Sequence, residues 1–271
     1  MIPAIEKITS YTAGNFFLIA GPCVVENEEI TNNIAQHLKK ICHALEIPFI
    51  FKASYRKANR TRLDSFQGIG DEQALNILAE TGKKYSIPVI TDVHESSEVK
   101  LATNYVDALQ IPAFLCRQTD LLVAAAKTSK WVNIKKGQFL SAKSMKFSVE
   151  KILKSGNRQV MLTERGTFLG YNDLVVDFRN IPIMKSFRIP VVVDITHSLQ
   201  QPNADSGVTG GQPQMIETIA LAAVASGTDG IFLETHPEPS KALSDGANML
   251  ALDKVEGLLK KLVSVRKCLQ V

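Results

Sequence analysis

Two groups of residues in this chain have types suited to chemistry. Cys23, His197, Glu234 and Asp245 offer a thiolate, an imidazole and two carboxylates. That donor set binds a divalent transition metal such as zinc, iron or manganese. The four are scattered from position 23 to position 245, so no local spacing motif separates a metal site from a buried cysteine beside surface carboxylates. The mixed sulfur, nitrogen and oxygen donors leave the metal's identity open.

The second group is basic. Lys52-Ala-Ser54-Tyr-Arg56-Lys57-Ala-Asn59-Arg60-Thr-Arg62 carries five cations in eleven residues, and Lys135, Lys136 and Arg165 add to it. A guanidinium fork matches phosphate or carboxylate with two parallel hydrogen bonds, and a lysine supplies a compact point charge. The competing reading is a solvated basic loop, and Arg56 and Arg62 fit that reading better. Lys52, Lys57 and Arg60 fit anion binding, because Lys52 directly follows a buried apolar run.

What must position these groups is a set of recurring elements. Eight apolar runs (16–20, 47–51, 88–91, 106–111, 131–134, 159–162, 190–194 and 230–233) alternate with helix-like stretches. The stretches are 27–45, 70–85, 95–103, 120–128, 144–155, 173–187, 213–225 and 247–269. Runs that are apolar throughout mark strands buried on both faces of a parallel sheet. Eight such repeats over about 250 residues predict a single (β/α)8 TIM barrel spanning 14–271, with a short N-terminal extension over 1–13. A doubly wound open sheet is disfavoured, since no GxGxxG follows the first run. In a barrel the strand-to-helix loops form the catalytic face. Cys23, Lys52, Asp92, His94, Gln110, Lys135, Arg165, His197, Glu234 and His236 all lie at or just beyond strand ends, and the Gly/Pro-rich stretch 201–213 reads as a loop on the same rim. Trp131 is expected to pack against a helix, and His43 to be structural.

Composition bounds the reading. The chain has 271 residues, 45% hydrophobic and 21% charged, with a formal charge of +4. This is globular, excludes fibrous and disordered classes, and is too weakly basic to imply nucleic-acid binding. No segment approaches the run of about 20 apolar residues needed to span a bilayer, so no membrane role is expected. The early apolar run is too short for an export signal, and the four cysteines form no CxxC pair. Reduced thiols and a cytoplasmic location are the expectation.

In this order the motifs become recognisable. Ile19-Ala-Gly-Pro-Cys23, Phe51-Lys-Ala-Ser54, Lys57-Ala-Asn-Arg60, Thr91-Asp-Val-His94 and Gln110-Ile-Pro-Ala-Phe114 occur in sequence. They are followed by Val132-Asn-Ile-Lys-Lys-Gly-Gln-Phe139, Thr163-Glu-Arg-Gly-Thr-Phe-Leu-Gly-Tyr171, Val193-Asp-Ile-Thr-His197 and Ser244-Asp-Gly246. Over nearly its whole length the chain resembles the 3-deoxy-D-manno-octulosonate 8-phosphate synthases. The resemblance implies a barrel enzyme of lipopolysaccharide biosynthesis, commonly a homotetramer. It condenses phosphoenolpyruvate with D-arabinose 5-phosphate and water, and releases inorganic phosphate. Cysteine in the Gly-Pro-Cys motif is similar to the metal-dependent class, which implies Cys23, His197, Glu234 and Asp245 as ligands of a divalent metal. It further implies Lys52, Lys57, Lys135 and Arg165 for phosphoenolpyruvate, and Asn59 and Arg60 for the sugar phosphate, with Ser54 and Gln110 nearby. Arg117 is implied to reach a neighbouring subunit's site. Lys57, Lys135 and His197 are the candidates for catalysis. The chain departs from the family at Tyr55-Arg56, where Phe-Asp is common, and at Gln67, where Arg is common. Two alternatives stand: a 3-deoxy-D-arabino-heptulosonate 7-phosphate synthase acting on erythrose 4-phosphate, and a non-catalytic barrel that binds a phosphosugar.

Overall fold

The computed structural model describes residues 15–59, 64–168, 173–201 and 210–269. Eight parallel strands form one sheet: β1 (Phe17–Gly21), β2 (Phe49–Lys52), β3 (Val89–Asp92), β4 (Ala108–Ile111), β5 (Trp131–Lys135), β6 (Val160–Glu164), β7 (Val191–Asp194) and β8 (Gly230–His236). Each pairs with the next, and β1 pairs with β8 from Phe17 opposite Gly230 to Gly21 opposite Glu234. The sheet is therefore closed, and the fold is a (β/α)8 barrel. Helices α1 (Glu28–Ala44), α2 (Asp71–Tyr85), α3 (Ser96–Ala102), α4 (Thr119–Ala126), α5 (Met145–Lys154), α6 (Asn180–Lys185), α7 (Ile216–Ala225) and α8 (Val255–Cys268) cover it. None of the described helices is long and apolar enough to cross a membrane. The predicted extension over 1–13 lies outside the described residues.

The core has two parts, set by the two-residue period of a strand. Side chains pointing outward, such as Leu18, Phe51, Leu109, Val132, Leu162 and Val193, pack under the helices. Those pointing inward, among them Phe17, Ile50, Ile90, Ala108, Trp131, Met161, Val192 and Phe232, fill the barrel. Trp131 thus packs inside the barrel and not against a helix. Its position follows from alternation, because Trp131, Asn133 and Lys135 share one face of β5. Two residues further along seven of these strands the inward side chain becomes polar; β1 is the exception, with Ile19 and Gly21 after Phe17. Ile50 is followed by Lys52, Ile90 by Asp92, Ala108 by Gln110, Trp131 by Asn133, Met161 by Thr163, Val192 by Asp194 and Phe232 by Glu234. The barrel therefore has an apolar floor and a charged upper layer facing the βα loops.

One glycine is required by this layer. A Cβ on Gly21 would lie 2.0 Å from the Lys52 carbonyl oxygen, so β1 and β2 approach there only because the side chain is absent.

The helices follow the expected order with two shortenings. The stretch 173–187 is helical only over α6. Pro182 cannot donate an N–H and its ring clashes with the preceding turn, so the helix starts within one turn of it. The preceding Leu174–Val175 instead pairs with Thr167–Phe168 in a small antiparallel ribbon. The final helix begins at Val255, because Leu250–Ala251 is drawn alongside Thr235–His236 as an extension of β8.

Candidate active site

The polar layer is built outward from a chain of side-chain hydrogen bonds. Gln110 Nε2 donates to Asp92 Oδ1 at 2.6 Å, Asn133 Nδ2 to Gln110 Oε1 at 2.9 Å, and Thr163 Oγ1 to Asn133 Oδ1 at 2.7 Å. This links β3 to β6 around half the barrel and leaves no buried amide unpaired within it. Ser54 Oγ donates to Asp92 Oδ2 and accepts from Lys52 Nζ. Ser54 is fully buried with its hydroxyl engaged, so it stands behind the cavity wall and supports Lys52 and Asp92.

Two buried lysines stand above the Phe232 ring, Lys135 Nζ at 3.7 Å and Lys52 Nζ at 5.6 Å from its centroid. The negative face of the ring favours both cations. Lys52 donates to Glu234 Oε1 at 2.7 Å and to the Cys23 carbonyl at 3.1 Å. Lys135 donates to Asp194 Oδ2 at 2.7 Å. Burial costs Lys135 some proton affinity, which Asp194 partly restores, and the net direction is downward. Burial alone would also raise Glu234 and Asp194. For Glu234, His197, Lys52 and Lys57 outweigh it, and for Asp194, His197 and Lys135 do, so both carboxyls sit well below the usual range.

Three of the four proposed metal donors converge, and the fourth, His197, adjoins one of them. Ligand atoms of Cys23, Glu234 and Asp245 all lie within 4.8 Å of one another. Cys23 Sγ is 3.6 Å from Asp245 Oδ2 and 2.9 Å from Ser244 Oγ. His197 adjoins this group through Glu234, its Nε2 lying 3.3 Å from Glu234 Oε2. Asp194 fixes the ring from the other side. Its Oδ2 lies 2.7 Å from His197 Nδ1, and its Oδ1 takes the backbone N–H groups of Thr196 at 3.1 Å and His197 at 2.8 Å. A proton on Nδ1, facing Asp194, would leave Nε2 to ligate a metal, the carboxylate–histidine arrangement typical of metal sites. The residues fit a divalent metal. The thiol, with burial the largest cause and Glu234 next, is pushed up to about 12, so it is protonated until a cation replaces the proton. Asp245 adopts a left-handed conformation (φ 49°) uncommon for a non-glycine residue, and it does so where its carboxylate meets Cys23.

Asp194→Asn tests that arrangement. The amide would donate to Nδ1 and drive the ring proton to Nε2, where it blocks ligation. Metal affinity is expected to fall about 10–100-fold with the fold retained. An unchanged affinity, measured by competitive titration with a chelating dye, would show that Asp194 does not set the tautomer.

A cavity of about 270 Å3 opens beside these donors, with Lys57, Asn59, Lys135, Arg165, His197 and Asp245 in its wall. Lys52, Asp92, His94, Gln110 and Gln200 also line it. Burial works against the charge on Lys57, but Cys23, Glu234, Asp92 and Asp245 outweigh it and hold its pKa above that of an ordinary lysine. Arg165 NH2 donates to Gln200 Oε1 at 2.6 Å and to the His197 carbonyl at 3.1 Å. Its Nε is buried with no partner among the described residues. Lys136, by contrast, points out of the barrel. It pairs with Glu164 at 3.3 Å and donates to the Gly166 carbonyl at 3.1 Å, tying together the loops after β5 and β6.

Arg60 and Arg62 lie outside the described residues. Arg117 is exposed and not in the cavity wall; its carbonyl accepts from Lys151. Arg56, expected to be solvated, is in fact held by Asp71 and Glu98. Asp194, Asn133 and Ser244 lie within the motifs without a role implied for them, and Gln200 lies in none. Strand alternation marks the first two, since each is two positions beyond an inward apolar residue.

Against known proteins, a model described as the DAHP synthetase I family matches residues 5–271. The chain belongs to the DAHP synthetase I family. Within it, relatives called 2-dehydro-3-deoxyphosphooctonate aldolase are similar over most of their length. The one from Koribacter versatilis is 53% identical over 254 residues, 93% of this chain and 91% of that protein. The one from Geobacter metallireducens is 53% identical over 248 residues, 92% and 91% respectively. The one from Syntrophobacter fumaroxidans is 49% identical over 263 residues, 96% and 91%.

Proposed function

We propose that the cavity condenses phosphoenolpyruvate with D-arabinose 5-phosphate and water, giving 3-deoxy-D-manno-octulosonate 8-phosphate and inorganic phosphate. The observation that carries this reading is adjacency: His197 and Asp245 share a cavity wall with Lys57, Lys135 and Arg165 at the C-terminal face of the barrel, and Cys23 and Glu234 cluster against Asp245. A purely phosphosugar-binding barrel has no use for the thiol–imidazole–carboxylate set. The names of the relatives favour the octulosonate reaction over the heptulosonate one.

In this scheme Lys135 and Arg165 take the carboxylate and phosphate of phosphoenolpyruvate, with Lys52 and Lys57 adding charge. Offsetting that dense negative charge lets C3 approach the aldehyde carbon of the open-chain sugar. Asn59 and Arg60 hold the sugar's phosphate end. Bond formation from C3 to the aldehyde carbon leaves positive character at C2, and water adds there. The aldehyde oxygen gains a proton and the added water loses one. The hemiketal then breaks its C2–O bond to phosphate as the C2 hydroxyl gives its proton to the departing phosphate, leaving the ketone and inorganic phosphate. A divalent ion held by Cys23, His197, Glu234 and Asp245 would supply Lewis-acid polarisation of an oxygen in the cavity. His197 has one ring nitrogen on Asp194 and the other toward Glu234, which suits a ligand and not a proton carrier. Lys57, held protonated in the cavity wall, is a hydrogen-bond donor to the aldehyde oxygen, and Lys135, whose proton affinity burial lowers, is the better matched to give up a proton. We further place the enzyme in the cytoplasm as a homotetramer, with Arg117 directed to a neighbouring subunit's site.

Phosphate release from phosphoenolpyruvate, measured with arabinose 5-phosphate and separately with erythrose 4-phosphate, tests the substrate assignment. Turnover confined to the five-carbon sugar is expected. Turnover with erythrose 4-phosphate alone would hand the site to the heptulosonate reaction, and sugar-phosphate binding without turnover to a binding role.

A further inference from the structure

Arg56 sits where the loop after β2 turns toward the cavity, one residue before Lys57. Its NH1 lies 3.3 Å from Asp71 Oδ2 at the start of α2, and its NH2 pairs with Glu98 Oε1 in α3. The guanidinium also stands 5.8 Å from the centroid of the Tyr55 ring. Glu98 is the hub of the cluster. Its Oε2 accepts from Tyr55 Oη at 2.6 Å and from the His94 N–H at 2.9 Å, and faces His94 Nδ1 at 3.2 Å. Tyr55 is in turn fixed to β3 through its N–H, which donates to Thr91 Oγ1 at 3.1 Å. Lys57, which follows Arg56, is held by a backbone bond from its N–H to the Gln67 carbonyl at 2.8 Å. Lys57, Asn59 and His94 all reach the cavity wall, but Arg56 does not.

We propose that Arg56 is a positioning residue: through Glu98 and Asp71 it anchors the loop carrying Lys57 and Asn59, and so sets affinity for the sugar phosphate. A fork able to engage two carboxylates on two different helices does this better than a lysine can. The basic charge at position 56 is thereby consumed structurally and is not offered to the ligand. The proposal rests on the functional reading above for its substrate, and on geometry alone for the anchoring.

The test is Arg56→Ala in the purified, metal-loaded enzyme. The KM for arabinose 5-phosphate is expected to rise about fivefold, the scale of a partly exposed ion-pair network. The KM for phosphoenolpyruvate and kcat, in which Lys57 shares its part with Lys52, Lys135 and Arg165, should change by less than the KM for the sugar phosphate, and amide exchange at Lys57 should accelerate. In a Glu98→Gln background the same substitution should add less than about twofold, since the two residues act as one unit. Arg56→Lys should recover part of the affinity. An unchanged KM for the sugar phosphate, or a uniform loss in all kinetic constants, would overturn the proposal. So would unchanged exchange at Lys57. If the wild-type enzyme does not turn over arabinose 5-phosphate, the substrate assignment fails, while the exchange measurement still decides the anchoring.

Discussion

Cys23→Ala is expected to empty the metal site and cost at least about 100-fold in phosphate release. The thiol is fully buried and meets the carboxylate of Asp245 and the hydroxyl of Ser244, with Glu234 completing the cluster. It is the soft donor of the set, and losing it leaves one imidazole and two carboxylates, one of them already paired with Lys52. Loss of a residue that merely orients a ligand costs 10–100-fold in metal affinity, so loss of a ligand costs more. The substitution removes a single small atom from the core, so unfolding should be cheaper by only about 1 kcal/mol. Metal analysis, initial rates and thermal unfolding together separate a lost ligand from a lost fold. Full activity in a metal-free variant would remove Cys23 from the site.

Arg165→Ala is expected to lower kcat/KM for phosphoenolpyruvate about 100–1,000-fold, the range seen when a preorganised donor to developing charge is deleted. The side chain is buried in the cavity wall and tied back to Gln200 and the His197 carbonyl, with Nε unpartnered among the described residues. Burial pulls its pKa below that of ordinary arginine, opposed by Asp194 and its neighbours. A guanidinium stays charged all the same. Arg165→Lys should recover only part of the loss, because a point charge replaces a planar fork. Rates unchanged as phosphoenolpyruvate is varied would exclude Arg165 from anion binding.

Much of this arrangement was legible because a closed parallel barrel converts chain position into place. A polar residue ending an apolar run must face the rim, which placed Lys52, Lys135, Arg165, His197 and Glu234 before any coordinates. The same period-two logic carries Asp92, Asn133 and Asp194 into the polar layer, and places Trp131 inside the barrel. Loop residues are different. Asp245 meets Cys23 across 222 positions of sequence, and only the turn around its left-handed backbone brings it there. Arg56 looked like a solvated charge because its partners, Asp71 and Glu98, belong to two helices whose relative placement no local pattern records. The short α6 was obscured by apolar residues on both sides of Pro182, of which only those after Phe178 found helical partners.

The central claim is that the donor cluster and the cation-lined cavity form one metal-dependent site. It is tested most directly by phosphate release from phosphoenolpyruvate with arabinose 5-phosphate, before and after removal of metal with a chelator. Activity that disappears on chelation and returns with added zinc, iron or manganese is the expected result. Activity indifferent to chelation, in protein shown by analysis to hold no metal, would contradict it.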